Sequence, residues 1–527
     1  MSRNSLLFSS PRHAAAFWIG SAAVTAGTLL HLPMFWMGRA TGFRLVGMPM
    51  DASMSIGMVL IVAGIAAAAY GLRPQMPREH VVASITQPAD APLTRAHWTQ
   101  MGILAVALVI DVMKAGSLGF VTPGMRAEYG IDRATVSMLP LVALLGTTVG
   151  SFLWGALADT YGRRASILLA AVIFVGTSIC GAMPSFAWNV FMCFIMGMAA
   201  GGMLPVANAL LAEIMPPKHR GWCLVLIGGI GTVGGYFIAS ASSALLQPFF
   251  GWRVMWLLGL PTGLLLIALS PFMPESARFL LQMGRIEEAR ETFARFGTVI
   301  TTDAPAEQPV SGAINPRGPD GRSMTGMSIA LTLAALVWGL VNYGVLLWLP
   351  AALVAEGRSV ALASEIIARS TLIAVPAVLV ATYLYSAWST KGSLVLAIGI
   401  TTLGLAATLL RGNGALAVVS NPIVSVSLLV VGTSWVISFL LPYTTESFPI
   451  RLRGRSTGWV AGSSKAGGVI AQGLASLALV PAFGVAAGAV AVPAVLSLVL
   501  VAIFGHETRG RDLRELEGSK MYARGGR

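Results

Sequence analysis

Glu213-Ile-Met-Pro216-Pro-Lys-His-Arg220-Gly221 and Glu446-Ser-Phe-Pro449-Ile-Arg-Leu-Arg453-Gly454 are two copies of one pattern, E-x-x-P-x-x-x-R-G, set 233 residues apart. Each copy directly follows a long apolar stretch. A second pair echoes the first. Pro274-Glu275-Ser276-Ala277-Arg278 closes one apolar stretch and His506-Glu507-Thr508-Arg509 closes another, with the glutamates 232 residues apart. Two features that repeat at nearly one period indicate a duplicated membrane unit. Halves duplicated in this way frame a central site between two gates in many membrane proteins that move solutes.

Composition agrees with a membrane chain. Of the 527 residues only 11% are charged and 55% are hydrophobic, and the mean hydropathy is +0.76. The net charge of +13 does not point to nucleic acid, because the Arg and Lys sit in short loops between apolar runs, where positive charge orients membrane helices. Cys180, Cys193 and Cys223 lie in or beside apolar runs and have no Cys-x-x-Cys spacing, so neither a metal site nor a disulfide framework is expected.

A bilayer crossing takes about 20 mostly apolar residues. Fourteen such runs are expected: two at 14–35 and 54–72, then twelve at 98–122, 135–157, 165–184, 188–214, 222–247, 253–272, 327–351, 364–387, 393–410, 419–446, 456–480 and 484–505. Backbone groups in lipid must be satisfied within the segment, so the runs are helices and the chain is an all-α polytopic membrane protein. Arg3 and Arg12 before the first run resemble the start of a signal peptide. No convincing cleavage site follows, and a retained N-terminal helical hairpin is expected. The Arg-rich segments 159–164, 273–326, 447–455 and the tail after 505 fall on one side, which is therefore cytoplasmic together with both termini. The expected domains are 1–97 (hairpin and linker), 98–272 and 327–505 (six-helix bundles), 273–326 (cytoplasmic linker with short surface helices) and 506–527 (tail).

The turn Gly155-Ala-Leu-Ala-Asp159-Thr-Tyr-Gly162-Arg163-Arg164 resembles the signature loop of the major facilitator superfamily. With Pro-Glu-Ser-x-Arg, the doubled E-x-x-P-x-x-x-R-G and the Glu-Thr-Arg-Gly tail, the chain is similar over about 98–515 to the branch of sugar porters, organic-ion transporters, synaptic-vesicle glycoproteins and aromatic-acid:proton symporters. The resemblance implies a twelve-helix, two-bundle core and transport by alternating access. It also implies a gating role for Gly155, Asp159, Gly162, Arg163, Arg164, Glu213, Arg220, Glu275, Arg278, Glu446 and Arg453. Glu213 and Arg220, Glu275 and Arg278, and Glu446 and Arg453 would form cytoplasmic ion-pair networks between the bundle halves. Three departures stand out. The C-half copy of the loop is reduced to Ser386-Ala-Trp-Ser-Thr-Lys391-Gly392. The fourth core span has Cys193 where sugar porters and their relatives usually carry an Arg. The fifth has Gly231-Thr-Val-Gly234-Gly235 without the Gly-Pro of drug antiporters.

Charges inside the expected spans are the sharper clue. Asp111 and Lys114 share one face of the first core span, and a charge at mid-bilayer costs about 2.5–3.5 kcal/mol on insertion scales. Either they satisfy each other, or Asp111 takes and releases a proton while Lys114 tunes it or meets substrate. Lys465, among Gly462, Ser463, Ser464, Gly467 and Gly468 in the eleventh core span, is either a substrate or coupling residue or a static pair. Asn208, Tyr236, Asn342, Tyr343, Trp435 and Gln472 are candidate cavity linings. Glu365 and Arg369 read as a peripheral pair. His31, Met34, Met37, Met48, Met50 and Met54 gather at the outer end of the hairpin. Soft thioethers suit Cu(I), but Met also fills apolar helices, and an extra packing hairpin is the default. No metal site, cofactor or enzymatic constellation is assigned.

The expected function is proton-coupled uptake of a small organic anion by a monomer in the bacterial inner membrane, with substrate, protons and the lipid bilayer as partners. Efflux by proton antiport and a transport-inactive membrane receptor are the alternatives.

Overall fold

The computed structural model describes residues 8, 10–74, 84–86, 88, 90–301, 323–410, 421–448 and 450–509. Its architecture is a series of long membrane-length helices, and the protein is an all-α polytopic membrane protein. Among the described residues, thirteen helical spans are long and apolar enough to cross a bilayer. The hairpin is Pro11–Thr41 and Ala52–Gly71. Core spans one to six are Arg95–Tyr129, Arg133–Tyr161, Arg163–Ala182, Phe186–Ile214, Pro217–Phe250 and Val254–Phe272. Spans seven to ten are Met324–Ala355, Val360–Trp388, Thr390–Leu410 and Pro422–Ser447, and span twelve is Phe483–Phe504. The eleventh is the helix Ile450–Ser476, equally long but more polar because it carries three arginines, Ser463, Ser464 and Lys465. One two-stranded addition joins the linkers: β1 (Ser84–Thr86) pairs antiparallel with β2 (Val299–Thr301).

Local chemistry sets the helix starts. Side chains of Ser10, Asp51, Asp132, Ser185, Ser323, Ser359 and Asn421 each accept a hydrogen bond from a backbone N–H in the first helical turn, satisfying donors that a helix leaves orphaned. Prolines inside the spans, such as Pro123, Pro140 and Pro442, are tolerated as they are in membrane helices generally.

Packing divides the chain into two compact units. The first holds Met1–Arg220 and Ile238–Gln308; the second holds Gly221–Phe237 and Pro309–Arg527. The hairpin belongs to the first unit. Its helices meet along glycines that recur every seven residues, Gly20 and Gly27 against Gly57, Gly64 and Gly71. A methyl added at Gly20 would lie 2.5 Å from the Gly64 carbonyl oxygen, and one at Gly64 would lie 2.6 Å from that of Gly20. Only glycine permits this approach, and close backbone contact is what drives helix association in lipid. Gly64→Val is therefore expected to cost about 1–3 kcal/mol through overpacking. An unchanged unfolding midpoint of the purified variant would contradict that seam.

The hairpin leans on the third core span, which is buried throughout. Thr28 Oγ1 donates to the Val175 carbonyl at 3.2 Å, and Gly176 faces Val24, Ile61 and Ile65. Of the outer methionines, Met34 and Met54 are buried in packing while Met37 is exposed.

Candidate functional site

Three constellations concentrate the polar chemistry of the spans. The first lies in the second unit. Here the seventh span leaves α-helical geometry for one π-helical turn, Leu340–Val345. Such turns displace side chains by one position and are frequent at functional sites. This turn presents Asn342 and Tyr343. Tyr236 donates its hydroxyl to Asn342 Oδ1 at 3.2 Å, and Gln472 Nε2 donates to the Tyr343 carbonyl. The Tyr343 ring meets Trp338 edge-on, with centroids 5.6 Å apart, and Trp338 Nε1 is anchored on the Thr433 carbonyl at 2.9 Å. Trp435 stands nearby in the tenth span, against Phe439. Trp435 Nε1 and Gln472 Oε1 are buried with no hydrogen-bond partner among the described residues.

Close packing fixes this wall. A methyl at Gly467 would lie 2.1 Å from the Leu336 carbonyl oxygen, so the small residues around Lys465 do bring the eleventh span against the seventh. Lys465 itself is half-buried. Of the nine expected coupling and substrate residues, six lie in this unit, Lys465 and the five around the π turn (Tyr236, Asn342, Tyr343, Trp435 and Gln472).

The second constellation is in the first unit. Lys114 is 2% exposed, and its Nζ has no hydrogen-bond partner among the described residues. It sits 5.9 Å from the centroid of Phe174, and a methyl at Gly259 would lie only 1.8 Å from Nζ. The thiols of Cys180 and Cys193 are near enough to act on it electrostatically. Lys114 thus packs against the third, fourth and sixth spans. Asp111, one turn earlier, is half-buried. Asn208 is half-buried as well, with Oδ1 unpartnered among the described residues.

The third constellation is a pair of matching carboxylate networks, one in each unit. In the first unit Glu275 Oε1 accepts backbone N–H groups from Arg163 at 2.7 Å, Arg164 at 3.2 Å and Ser276 at 2.8 Å. It caps the third span, where a carboxylate meets the positive helix end. Gly162 makes room: its φ is +98°, and a methyl there would lie 2.5 Å from Glu275 Oε2. Glu213 bridges Arg163 Nη1 at 2.6 Å and accepts from Ser276 Oγ at 2.6 Å. The expected pairings therefore redistribute. Glu213 takes Arg163, Arg278 Nε stands 4.0 Å from Glu213, and Glu275 is consumed by backbone amides. Gly155 and Asp159 lie on the exposed last turns of the second span, Arg164 is buried, and Arg220 reaches the Met215 carbonyl.

In the second unit Glu507 caps the ninth span in the same manner, accepting from Thr390 N at 2.9 Å and Thr390 Oγ1 at 2.6 Å, and from Ser389 Oγ. Glu446 accepts from Thr508 Oγ1 at 2.8 Å, as Glu213 does from Ser276, and from Tyr385 O–H at 2.9 Å where Glu213 has Arg163. The loop 386–392 that looked degraded retains the network with neutral donors. The side chain of Arg453, expected to pair with Glu446, lies outside the described residues.

The two caps titrate in opposite directions. Burial pushes Glu275 above the ordinary carboxylate range despite its amide bonds. Burial also acts upward on Glu507, but hydrogen bonds from Ser389 and Thr390 outweigh it and hold the group below that range. Glu507 therefore contributes stability that is present above the ordinary value and lost as pH falls through its depressed one. The contribution of Glu275 has the other sign and is lost as pH climbs from the ordinary value through the raised one. At neutral pH Glu275→Gln, which keeps an acceptor for the three amides, is expected to raise the unfolding midpoint, and Glu507→Gln to lower it. Equal shifts would refute the asymmetry.

Residues 104–472 match the family model described as Major Facilitator Superfamily. The chain belongs to the major facilitator superfamily. It is therefore a membrane transporter of small-molecule substrates rather than an enzyme. It is 26% identical over 82% of its length, and 99% of the relative's, to the niacin transporter NiaP of Acinetobacter baylyi. It is 30% identical over 40% of its length, and 48% of the relative's, to the 4-hydroxybenzoate transporter PcaK of Pseudomonas putida. The solved structure of the proton:xylose symporter XylE bound to 6-bromo-6-deoxy-D-glucose shares the fold, with TM-score 0.60 and 19% identity over 80% of this chain and 98% of that one.

One site on this superfamily member was missed from sequence. At the opposite end of the first unit from the Arg163 turn, Glu128 is 4% exposed and Arg253 0%, and they pair at 2.6 Å. Arg253 also donates to the Met183 carbonyl at 2.7 Å and to Tyr129 O–H at 3.2 Å, and Trp252 Nε1 donates to Glu128 at 2.8 Å. Glu128 Oε1 further accepts the amides of Leu45 at 2.7 Å and Val46 at 3.2 Å, tying the hairpin's connecting loop to the bundle. Phe43, at φ +62°, is held in that unfavourable conformation between Phe35 and Phe250. The signal available was weak: Glu128 stands near Arg126 and Arg133, either of which could have been its partner, and Arg253 lies far along the chain.

Proposed function

We propose that this transporter takes up a small aromatic carboxylate together with protons across the bacterial inner membrane, as a monomer with both termini in the cytoplasm. The observation that carries the reading is Lys114, a buried amine with no hydrogen-bond partner among the described residues, one turn from Asp111 in the first core span. Lys114 acts electrostatically on Cys193, at the position where the resemblance implies an arginine. Lys114 supplies a cation in the first span that biases the protonation of Asp111. Asp111 takes the proton, Lys465 meets the substrate carboxylate, and Asn342, Tyr343, Trp435 and Gln472 receive the ring.

The names of the niacin and 4-hydroxybenzoate relatives support a planar acid as substrate. The retained Glu446–Glu507 network supports an active carrier over an inactive receptor, since the C-half loop keeps its carboxylate contacts with other donors. The absence of Gly-Pro in the fifth span supports uptake over antiport.

The test is accumulation of radiolabelled nicotinate, 4-hydroxybenzoate and xylose in proteoliposomes with an inward proton gradient. One of the acids should accumulate and xylose should not. Tyr236→Phe, which removes one hydrogen bond at the π turn, should weaken apparent affinity by about tenfold. Accumulation of xylose alone, or of a solute only against an outward gradient, would overturn the assignment.

A further inference from the structure

At the end of the first unit that carries Arg163 and Arg164 lies a cavity of about 220 Å³, bounded by the start of the first core span, the segment after the sixth and the two short amphipathic helices Ala277–Gln282 and Ile286–Ala294. Its volume exceeds what one or two waters need. Two side chains lining it are buried yet incompletely satisfied. Gln100 is 1% exposed with Nε2 unpartnered, and Arg164 is 6% exposed with Nε unpartnered, among the described residues. Both orphaned atoms are donors. Buried donors of this kind each carry a desolvation penalty that an acceptor would relieve.

The rest of the lining narrows the ligand. Arg295 adds an exposed cation at the rim. Glu275, at the floor, is occupied by the amides of Arg163, Arg164 and Ser276, and Glu288 is occupied by Arg285. Glu291 is exposed at the rim. The unspent groups are therefore donors inside, one cation and one anion outside. None of these residues belongs to the constellation assigned to substrate.

We infer that this cavity is a second ligand site, which takes a compact oxyanion such as a phosphate group on Arg164 and Gln100. Arg164 follows Arg163, whose guanidinium bridges Glu213, and shares Glu275 with it. An occupant would therefore stiffen the network at the head of the third span and couple phosphate to gating. A free phosphate and the phosphate of a lipid headgroup offer the same acceptor oxygens.

The test reads binding rather than transport, so it stands apart from the substrate assignment. Full-length protein in phosphatidylcholine nanodiscs is titrated with inorganic phosphate, with chloride at matched ionic strength as control. In parallel, nanodiscs containing phosphatidic acid are analysed by native mass spectrometry for retained phosphatidate. Gln100→Leu removes an inner donor, and Glu291→Lys, on the exposed rim, adds a cation without disturbing packing. Phosphate should bind wild type, about tenfold more weakly in Gln100→Leu and several-fold more tightly in Glu291→Lys. If only phosphatidate responds, with the same ranking of variants, the site is a lipid-phosphate site. Indifference to both probes, a response equal to that of chloride, or identical behaviour of all three proteins would overturn the inference and leave a water-filled cavity. If Gln100→Leu does not fold, Glu291→Lys decides alone.

Discussion

Arg253→Met is expected to lower the stability of the purified protein by about 3–5 kcal/mol, because it leaves Glu128 charged, buried and stripped of its partner. The pair is almost wholly shielded, at 0% and 4% side-chain exposure, so screening by water does not soften the loss. The hairpin loop depends on the same carboxylate through the amides of Leu45 and Val46, and the strained backbone of Phe43 should relax with it. The three buried cysteines offer a direct readout, since a thiol-reactive dye reports their exposure on unfolding. The double variant Glu128→Gln, Arg253→Met should recover much of the loss, because it removes the isolated charge. A single variant as stable as wild type would mean that the pair is incidental.

Lys114→Met is expected to act in opposite directions on stability and function. A buried amine with no hydrogen-bond partner among the described residues, set beside Phe174 and Gly259, is a poor core residue, and methionine matches its length and fills the same space. Replacing buried ionic groups with apolar ones of similar volume stabilises proteins by about 1–4 kcal/mol in measured cases. Substrate accumulation should nonetheless fall to the level of empty liposomes, because the cation near Asp111 is gone. Such a split marks a residue kept for function at a cost in stability. A lower unfolding midpoint, or undiminished accumulation, would count against this role for Lys114.

Much of the architecture was legible because two chemical signals are strong in membrane chains. Apolar runs near bilayer length marked the helices, and repeated acidic motifs marked the duplication. The offset between Glu213 and Glu446 reappears as matching hydroxyl donors, Ser276 and Thr508. What the sequence hid were relations across the fold. The π turn at Leu340–Val345 is a matter of one extra residue in a helical turn, and composition does not announce it. The glycine seam was readable as a seven-residue spacing, but only with both hairpin helices aligned. The loop 386–392 looked degraded because pattern reading scores Arg, whereas Tyr385 supplies the same donor without charge. Glu213 was expected to find Arg220, near in sequence, and instead meets Arg163, one span away in the chain and adjacent in space. Lys114 was legible as an anomaly; its apolar surroundings on the third, fourth and sixth spans were not.

In the proposed mechanism substrate and proton move together, with Asp111 carrying the proton. Proteoliposomes loaded with a pH-sensitive dye test it directly, with nicotinate or 4-hydroxybenzoate added outside to wild type and to Asp111→Asn. Internal acidification that follows the acid in wild type and vanishes in a folded Asp111→Asn protein is the predicted result. Equal acidification in both, or labelled acid entering wild type with no proton movement, would contradict it.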